Sequence, residues 1–194
     1  PAVQVIPTYL SATGLVRLTR DPDGFLTESG RPMPKRPVAA QRLGTRFHRW
    51  LEQRFALAPS LEFDPGVEPS DEPHFAAMSA AFERGQFATR RPLGVEVPFS
   101  MVVAGTVVRG RIDAVFAAGD DYLVVDWKTS ARRADPLQLA VYRQAWAEAR
   151  GVDPARVGAA FYHVLVDQLR MVEAPDALID AAHAAVTDYL GTEE

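Results

Sequence analysis

The sequence predicts an α/β domain, a mixed β-sheet covered by helices. Three observations predict it. Apolar residues recur at three- and four-residue steps in several long segments, the mark of helices with one buried face. Valine-rich, alternating runs fill most of 94–128 and return at 157–173, as strands do. The elements also interleave, with helices first, then about three strands, a helix, two strands and a final helix, the order of an α/β or α+β domain.

Residues 1–37 are rich in proline, glycine and charge. One short helix is expected there, capped by Ser11, carrying Leu15, Val16 and Leu18, and stopped at Asp21-Pro22-Asp23-Gly24. The prolines of 31–37 exclude regular structure. From Val38 to about Leu57 the stripe Leu43, Phe47, Trp50 or Leu51, and Phe55 predicts a long helix. On another flank Gly44, His48 and Glu52 stack one turn apart. Taken alone, His48 is a helix-surface or core-edge histidine. The stretch 58–73 carries four prolines and reads as a loop, and a helix over about 74–88 follows, anchored by Phe75, Met78, Phe82 and Phe87.

Strands are expected at 94–99 and 102–116, with a turn at 118–121 and a further strand at 122–128. In that last strand Asp126 and Lys128 point to one side and Trp127 to the other. A carboxylate and an ammonium held together at a strand end can bind a divalent cation and a phosphate. They can equally be an ordinary ion pair. Asp113 lies on the neighbouring strand if the two form a hairpin. Asp135-Pro136 opens a helix that runs to Arg150 and stops at Gly151, with Gln138 and Tyr142 four apart. A strand over 157–166, a turn at 167–168, a short strand over 169–173 and a helix over 175–190 capped near Asp176 complete the chain.

Composition narrows the function. The 194 residues are 47% hydrophobic and 24% charged, as in an ordinary globular protein. Expected, therefore, is one domain, with a helical N-terminal part over 1–92 and a sheet core over 93–194. No apolar run suits a membrane span, and a cytoplasmic place is expected. The absence of cysteine excludes disulfides, thiolate zinc sites and iron–sulfur clusters. A formal charge of −4 argues against holding nucleic acid by bulk electrostatics, though arginines cluster at 31–36, 42–49, 90–91, 109–111 and 132–133. Each cluster alone reads as a solvated face.

Five pieces in order resemble a known family: Gly44-Thr45-Arg46-Phe47-His48-Arg49-Trp50-Leu51-Glu52, Glu96-Val97-Pro98-Phe99, Gly110-Arg111-Ile112-Asp113, Val125-Asp126-Trp127-Lys128-Thr129 and Gln138-Leu139-Ala140-Val141-Tyr142. Together they resemble the RecB-type branch of the PD-(D/E)xK nucleases, over roughly Ser11 to Tyr142. The likeness extends to the C-terminal nuclease domains of AddAB- and Adn-type bacterial recombination helicase–nucleases. Leu10-Ser11-Ala12-Thr13 resembles the entry to those domains, and Arg20 stands near where some relatives carry a cluster-binding cysteine.

The resemblance implies a restriction-endonuclease-like core with an N-terminal helical extension. It implies a phosphodiester hydrolase using Mg²⁺ or Mn²⁺ without an iron–sulfur cluster. His48, Asp113, Asp126, the Trp127 carbonyl and Glu96 would be metal ligands, with Glu52 orienting His48. Lys128 would orient water or offset transition-state charge, and Gln138 and Tyr142 would position the lysine or a phosphate. The implied partners are single-stranded DNA and a helicase motor. Because the chain opens on Pro1, it is expected to be a domain of something longer. Rival expectations are an inactive nuclease-like module that handles DNA or docks a subunit, and a stand-alone restriction- or resolvase-type enzyme.

Overall fold

The computed structural model describes residues 9–29, 39–55, 72–130 and 134–191. The proline-rich 31–37, the loop over 58–71 and the arginine pair at 132–133 lie outside the described residues. Six strands form one sheet: β1 (Tyr9–Ser11), β2 (Gly94–Val103), β3 (Thr106–Ala118), β4 (Asp121–Lys128), β5 (Val157–His163) and β6 (Gln168–Met171). The helices are α1 (Ala12–Arg20), α2 (Pro22–Ser29), α3 (Ala39–Phe55), α4 (Glu72–Arg84), α5 (Pro136–Arg150) and α6 (Pro175–Gly191).

The sheet runs β1-β3-β4-β5-β6, with β2 also paired to β3. The β1–β3 and β4–β5 pairs are parallel and the others antiparallel, so the sheet is mixed as expected. β2 pairs with one edge of β3 from Thr106 to Val115. The other edge is shared, because β1 pairs with Val107–Arg109 and β4 with Ala114–Ala118. Residues 110–113 lie between them, where the sheet forks.

Helices cover both faces. On one, Leu15 and Leu18 of α1, Leu139 and Trp146 of α5, and Val186 of α6 pack with Val124 and Phe161. On the other, Phe47 and Leu51 of α3 and Met78 and Phe82 of α4 pack with Val125, Trp127 and Tyr162. The Trp127 ring sits among Phe82, Phe87, Phe116 and Tyr162, with centroids 5.4 to 6.1 Å away and all four rings nearly perpendicular to it. Such edge-to-face contacts add to simple burial.

Local signals place the helix ends. Ser11 Oγ accepts from the Gly14 N–H at 2.9 Å, and Asp135 caps α5 with Pro136 in its first turn. Gly151, at φ 63°, closes α5 in the left-handed region that glycine tolerates.

Several expectations are corrected. Asp21-Pro22-Asp23-Gly24 ends α1 but also starts α2, since Asp21 Oδ1 accepts from the Gly24 N–H at 3.0 Å. β1 was not anticipated; it has one buried side chain, Leu10. The break between β2 and β3 falls at Ala104-Gly105, with φ of 45° and 80°, so that β2 continues to Val103. α4 starts at Glu72 and stops at Arg84, leaving Phe87 in the turn that follows. The strand expected over 157–166 stops at His163, and Val164–Val166 form a 3-10 turn. Asp176 lies within α6, and its carboxylate takes Arg143 at 2.6 Å. Among the described residues no helix is long and apolar enough to cross a membrane.

Candidate active site

The site forms where the sheet forks. β4 ends in Asp126-Trp127-Lys128, and its ladder to β3 stops at Ala114↔Val125. One residue further, side chain replaces main chain: the Trp127 N–H donates to Asp113 Oδ2 at 3.0 Å. Asp113 and Asp126 are both buried.

α3 brings His48 over this point. Nε2 lies 3.1 Å from the Trp127 carbonyl oxygen, and since a carbonyl only accepts, Nε2 carries the hydrogen. Nδ1 then faces the acids, 3.4 Å from Asp113 Oδ2 and 3.8 Å from Glu96 Oε1. Gly44, one turn earlier, faces the β4 exit, where an added Cβ would lie 3.4 Å from Thr129 Oγ1. Glu52 makes no hydrogen bond or ion pair with His48 among the described residues; Glu96 and Asp113 take that place.

Glu96 comes from β2. The pairs on either side, Val95↔Ala114 and Val97↔Ile112, keep one register, so no residue is inserted and Glu96 stands opposite Asp113. Yet Glu96 has φ 48°, a left-handed conformation that costs a non-glycine residue about 1 kcal/mol or more. His48, Glu96 and Asp113 each offer a ligand atom within 4.8 Å of the other two. Hard carboxylate oxygens with one imidazole suit Mg²⁺ or, better, Mn²⁺.

Asp126 stands beside this triad. Lys128 Nζ is 2.6 Å from Asp126 Oδ2, a close ion pair. A buried carboxylate is stabilised by paired charge or by a bound cation, and Asp126 lies close enough to the triad to serve either.

The electrostatics agree. Burial, then the charge of Asp126, pushes the Asp113 carboxyl up to about 8, against the opposing pull of His48 and the Trp127 N–H. Asp126 is also raised, chiefly by burial, with Lys128 opposing. Burial works to lower His48, but the nearby Glu96 carboxylate and the charges of Asp113 and Asp126 outweigh this and raise it to about 9. The metal-free site therefore holds protons that a divalent cation would displace.

α5 supplies the remaining pair. Gln138 Nε2 donates to the Tyr142 hydroxyl at 2.8 Å, and the Tyr142 ring packs edge-on to Phe99 at 5.5 Å. Burial, then the negative charge of Asp113, keeps that phenol neutral well above its ordinary range. Phe99 in turn lies over Gly110, where an added Cβ would come within 2.7 Å of its ring. The glycine of Gly110-Arg111-Ile112-Asp113 thus makes room for the aromatic that backs Tyr142.

The structure brings together His48, Glu96, Asp113, Asp126, Lys128 and the backbone of Trp127. The sequence did not single out His163, Arg170, Leu165 and Val166, which lie beside Lys128. Their signal is the β4–β5–β6 register, which no spacing in one chain reveals. Arg20, near the position of a cluster cysteine in some relatives, forms an ion pair with Asp135 at the start of α5.

The family model of the PD-(D/E)XK nuclease superfamily matches residues 9–191. The chain belongs to this superfamily. The fold is also similar to that in the crystal structure of a candidate exonuclease from Eubacterium rectale. It superposes with a TM-score of 0.61 at 15% identity, over 94% of this chain and 80% of that one. At that identity the likeness shows the fold alone. Over 67 residues the chain is 37% identical to the gene 69 proteins of Mycobacterium phages D29 and L5. That stretch is 34% of this chain and only 25% and 23% of theirs. Superfamily members share the sheet, and the α/β architecture with helices on both faces is that of a PD-(D/E)XK nuclease core.

Proposed function

We propose that this PD-(D/E)XK nuclease domain hydrolyses DNA phosphodiesters with Mg²⁺ or Mn²⁺. The observation that carries the reading is the convergence of His48, Glu96 and Asp113 next to the buried Asp126 and its ion-pair partner, the half-buried Lys128. His48 through Nδ1, Glu96, Asp113 and Asp126 would hold the ion, while the Trp127 carbonyl stands at the other ring nitrogen of His48, 3.1 Å from Nε2. A divalent cation bound there supplies positive charge against the scissile phosphate and lowers the pKa of a coordinated water.

The chain's own groups do the rest. Lys128 sits where it can orient a water or neutralise charge as the phosphorus is attacked. The Gln138 amide, by donating to the Tyr142 oxygen, leaves that hydroxyl's hydrogen for the site. Asp113 fixes the Trp127 peptide, and the Trp127 carbonyl fixes the His48 tautomer with Nδ1 toward the acids.

The substrate in this reading is single-stranded DNA delivered by a helicase motor during break processing. Its support is the resemblance of the five motifs to AddAB- and Adn-type nuclease domains. The test is cleavage of end-labelled single-stranded DNA with Mn²⁺ or Mg²⁺ by the wild type, Asp126→Ala and Lys128→Ala. Loss of about 10²–10³ in rate is expected for Lys128→Ala, and more for Asp126→Ala. Equal cleavage by all three would sink the assignment.

A further inference from the structure

The row of side chains that carries the acid–lysine pair continues across the sheet. Across β4 and β5, Asp126 is partnered with Phe161 and Lys128 with His163. Across β5 and β6, Phe161 is partnered with Arg170 and His163 with Gln168. Partners on adjacent strands share a face, so all six stand on one side of the sheet. Lys128 Nζ lies 5.1 Å over the Phe161 ring.

This face opens into a groove of about 260 Å³. Its polar lining is Lys128, Thr129, Ser130, His163, Gln168 and Arg170, and no carboxylate is among the lining residues. In a chain with net charge −4, an acid-free groove with two cations suits an anion. Arg170 spends one N–H on Gln168 Oε1 at 3.0 Å and makes no salt bridge among the described residues. The remaining guanidinium donors fit a phosphate.

The same groove is also lined by two apolar side chains. Leu165 and Val166 are 54% and 69% exposed. The turn that presents them is held firmly. Asp167, at φ 48°, accepts from the Tyr162 hydroxyl at 2.6 Å and the Gln86 N–H at 3.0 Å, tying the turn to the end of α4. Cationic and firmly held apolar groups lining one groove, which starts at Lys128, match one nucleotide with its phosphate and its base.

We propose that this groove seats the nucleotide adjoining the scissile phosphate, its phosphodiester on Arg170 and its base against Leu165 and Val166. The inference rests on the nuclease reading above and adds a path for the strand. Apolar side chains serve as platforms for unstacked bases, and one phosphate contact adds about one unit to the salt dependence of binding.

The test measures binding of a fluorescein-labelled single-stranded oligonucleotide in Ca²⁺ over a range of salt, with cleavage in Mn²⁺ alongside. Arg170→Gln should weaken binding about tenfold and reduce the salt slope by about one. Leu165→Ser with Val166→Ser should weaken binding about fivefold with the slope unchanged. Arg156→Gln, the same charge change next to the opposite end of β5, is the control and should leave both as in the wild type. If Arg170→Gln behaves like Arg156→Gln while the wild type cuts, the groove is not the path and the nuclease reading stands. An unaltered affinity in the Leu165/Val166 variant removes the base seat. A wild type that neither binds nor cuts brings down both readings.

Discussion

Glu96 faces Asp113 across the β2–β3 ladder in a left-handed backbone conformation, between neighbours in regular register. Nothing in the local chain favours this, since Glu96 is neither a turn residue nor next to glycine. The twist is confined to the residue whose carboxylate meets His48 and Asp113. Stability and ligation are in conflict there, and separable by substitution. Glu96→Gly should raise the melting temperature, by relief of about 1 kcal/mol, and weaken Mn²⁺ binding about tenfold or more. Calorimetric titration of Mn²⁺ and a thermal scan check the two halves. A variant less stable than the wild type would show that the conformation is not strained.

The protons held by the metal-free site make stability fall as pH rises. His48, raised from 6.5 to about 9, contributes stability that is complete below 6.5 and lost as pH rises through 9. Asp113, raised from 3.8 to about 8, is held neutral in the fold and costs stability as pH climbs over that interval. Both signs agree between pH 6.5 and 8. Thermal denaturation in chelator should give a melting temperature that declines over this window, and Mn²⁺ should restore more at the alkaline end. A melting temperature that is flat or rising there would contradict the charge arrangement.

Lys128 and Asp126 are worth more as a pair than singly. Lys128→Met leaves a buried carboxylate without its counter-ion and should destabilise by about 3 kcal/mol. Asp126→Leu combined with Lys128→Met should return close to wild-type stability while remaining without nuclease activity. Urea denaturation of the two variants measures this. A double variant as unstable as the single one would argue against an unpaired charge as the cause.

Gly110 acts on Tyr142 through Phe99. Gly110→Ala should displace the Phe99 ring, cost about 1–3 kcal/mol and lower cleavage by loosening the Tyr142–Gln138 pair. Adding Phe99→Leu to Gly110→Ala should recover stability by relieving the overlap. Failure to recover would place the effect in the β3 backbone instead.

Much of this molecule is legible in one sequence. Phe47 and Leu51 read as buried from their spacing and are so; Ser11, Asp135 and Gly151 read as caps and are so. What escaped reading depends on partners far away in the chain. β1 is three residues with one buried side chain, too short for a periodic signal. Val164-Leu165-Val166 has strand propensity, but Asp167 draws the chain into a 3-10 turn because Tyr162 and Gln86 hold its carboxylate. At the site, the spacing of Asp126 and Lys128 was readable, as was a stacked His48. Spacing along α3 puts Glu52 beside that histidine, and only the motif resemblance groups Glu96 and Asp113 with it; the β2–β3 register is what sets those two side by side.

Trp127 turns the buried site into something light can report. Its N–H is held by Asp113 and its carbonyl by His48, while its indole lies in the ring of Phe82, Phe87, Phe116 and Tyr162. An ion that redirects either side chain pulls on the peptide of a fluorophore whose surroundings are otherwise rigid and dry. Of the three tryptophans, Trp50 lies within α3 against Phe47 and Phe82 and Trp146 within α5 on Tyr122, both away from the strand end that carries Asp126. The protein thus carries a native optical probe of its own occupancy, and ultraviolet emission can follow cation entry with no label attached.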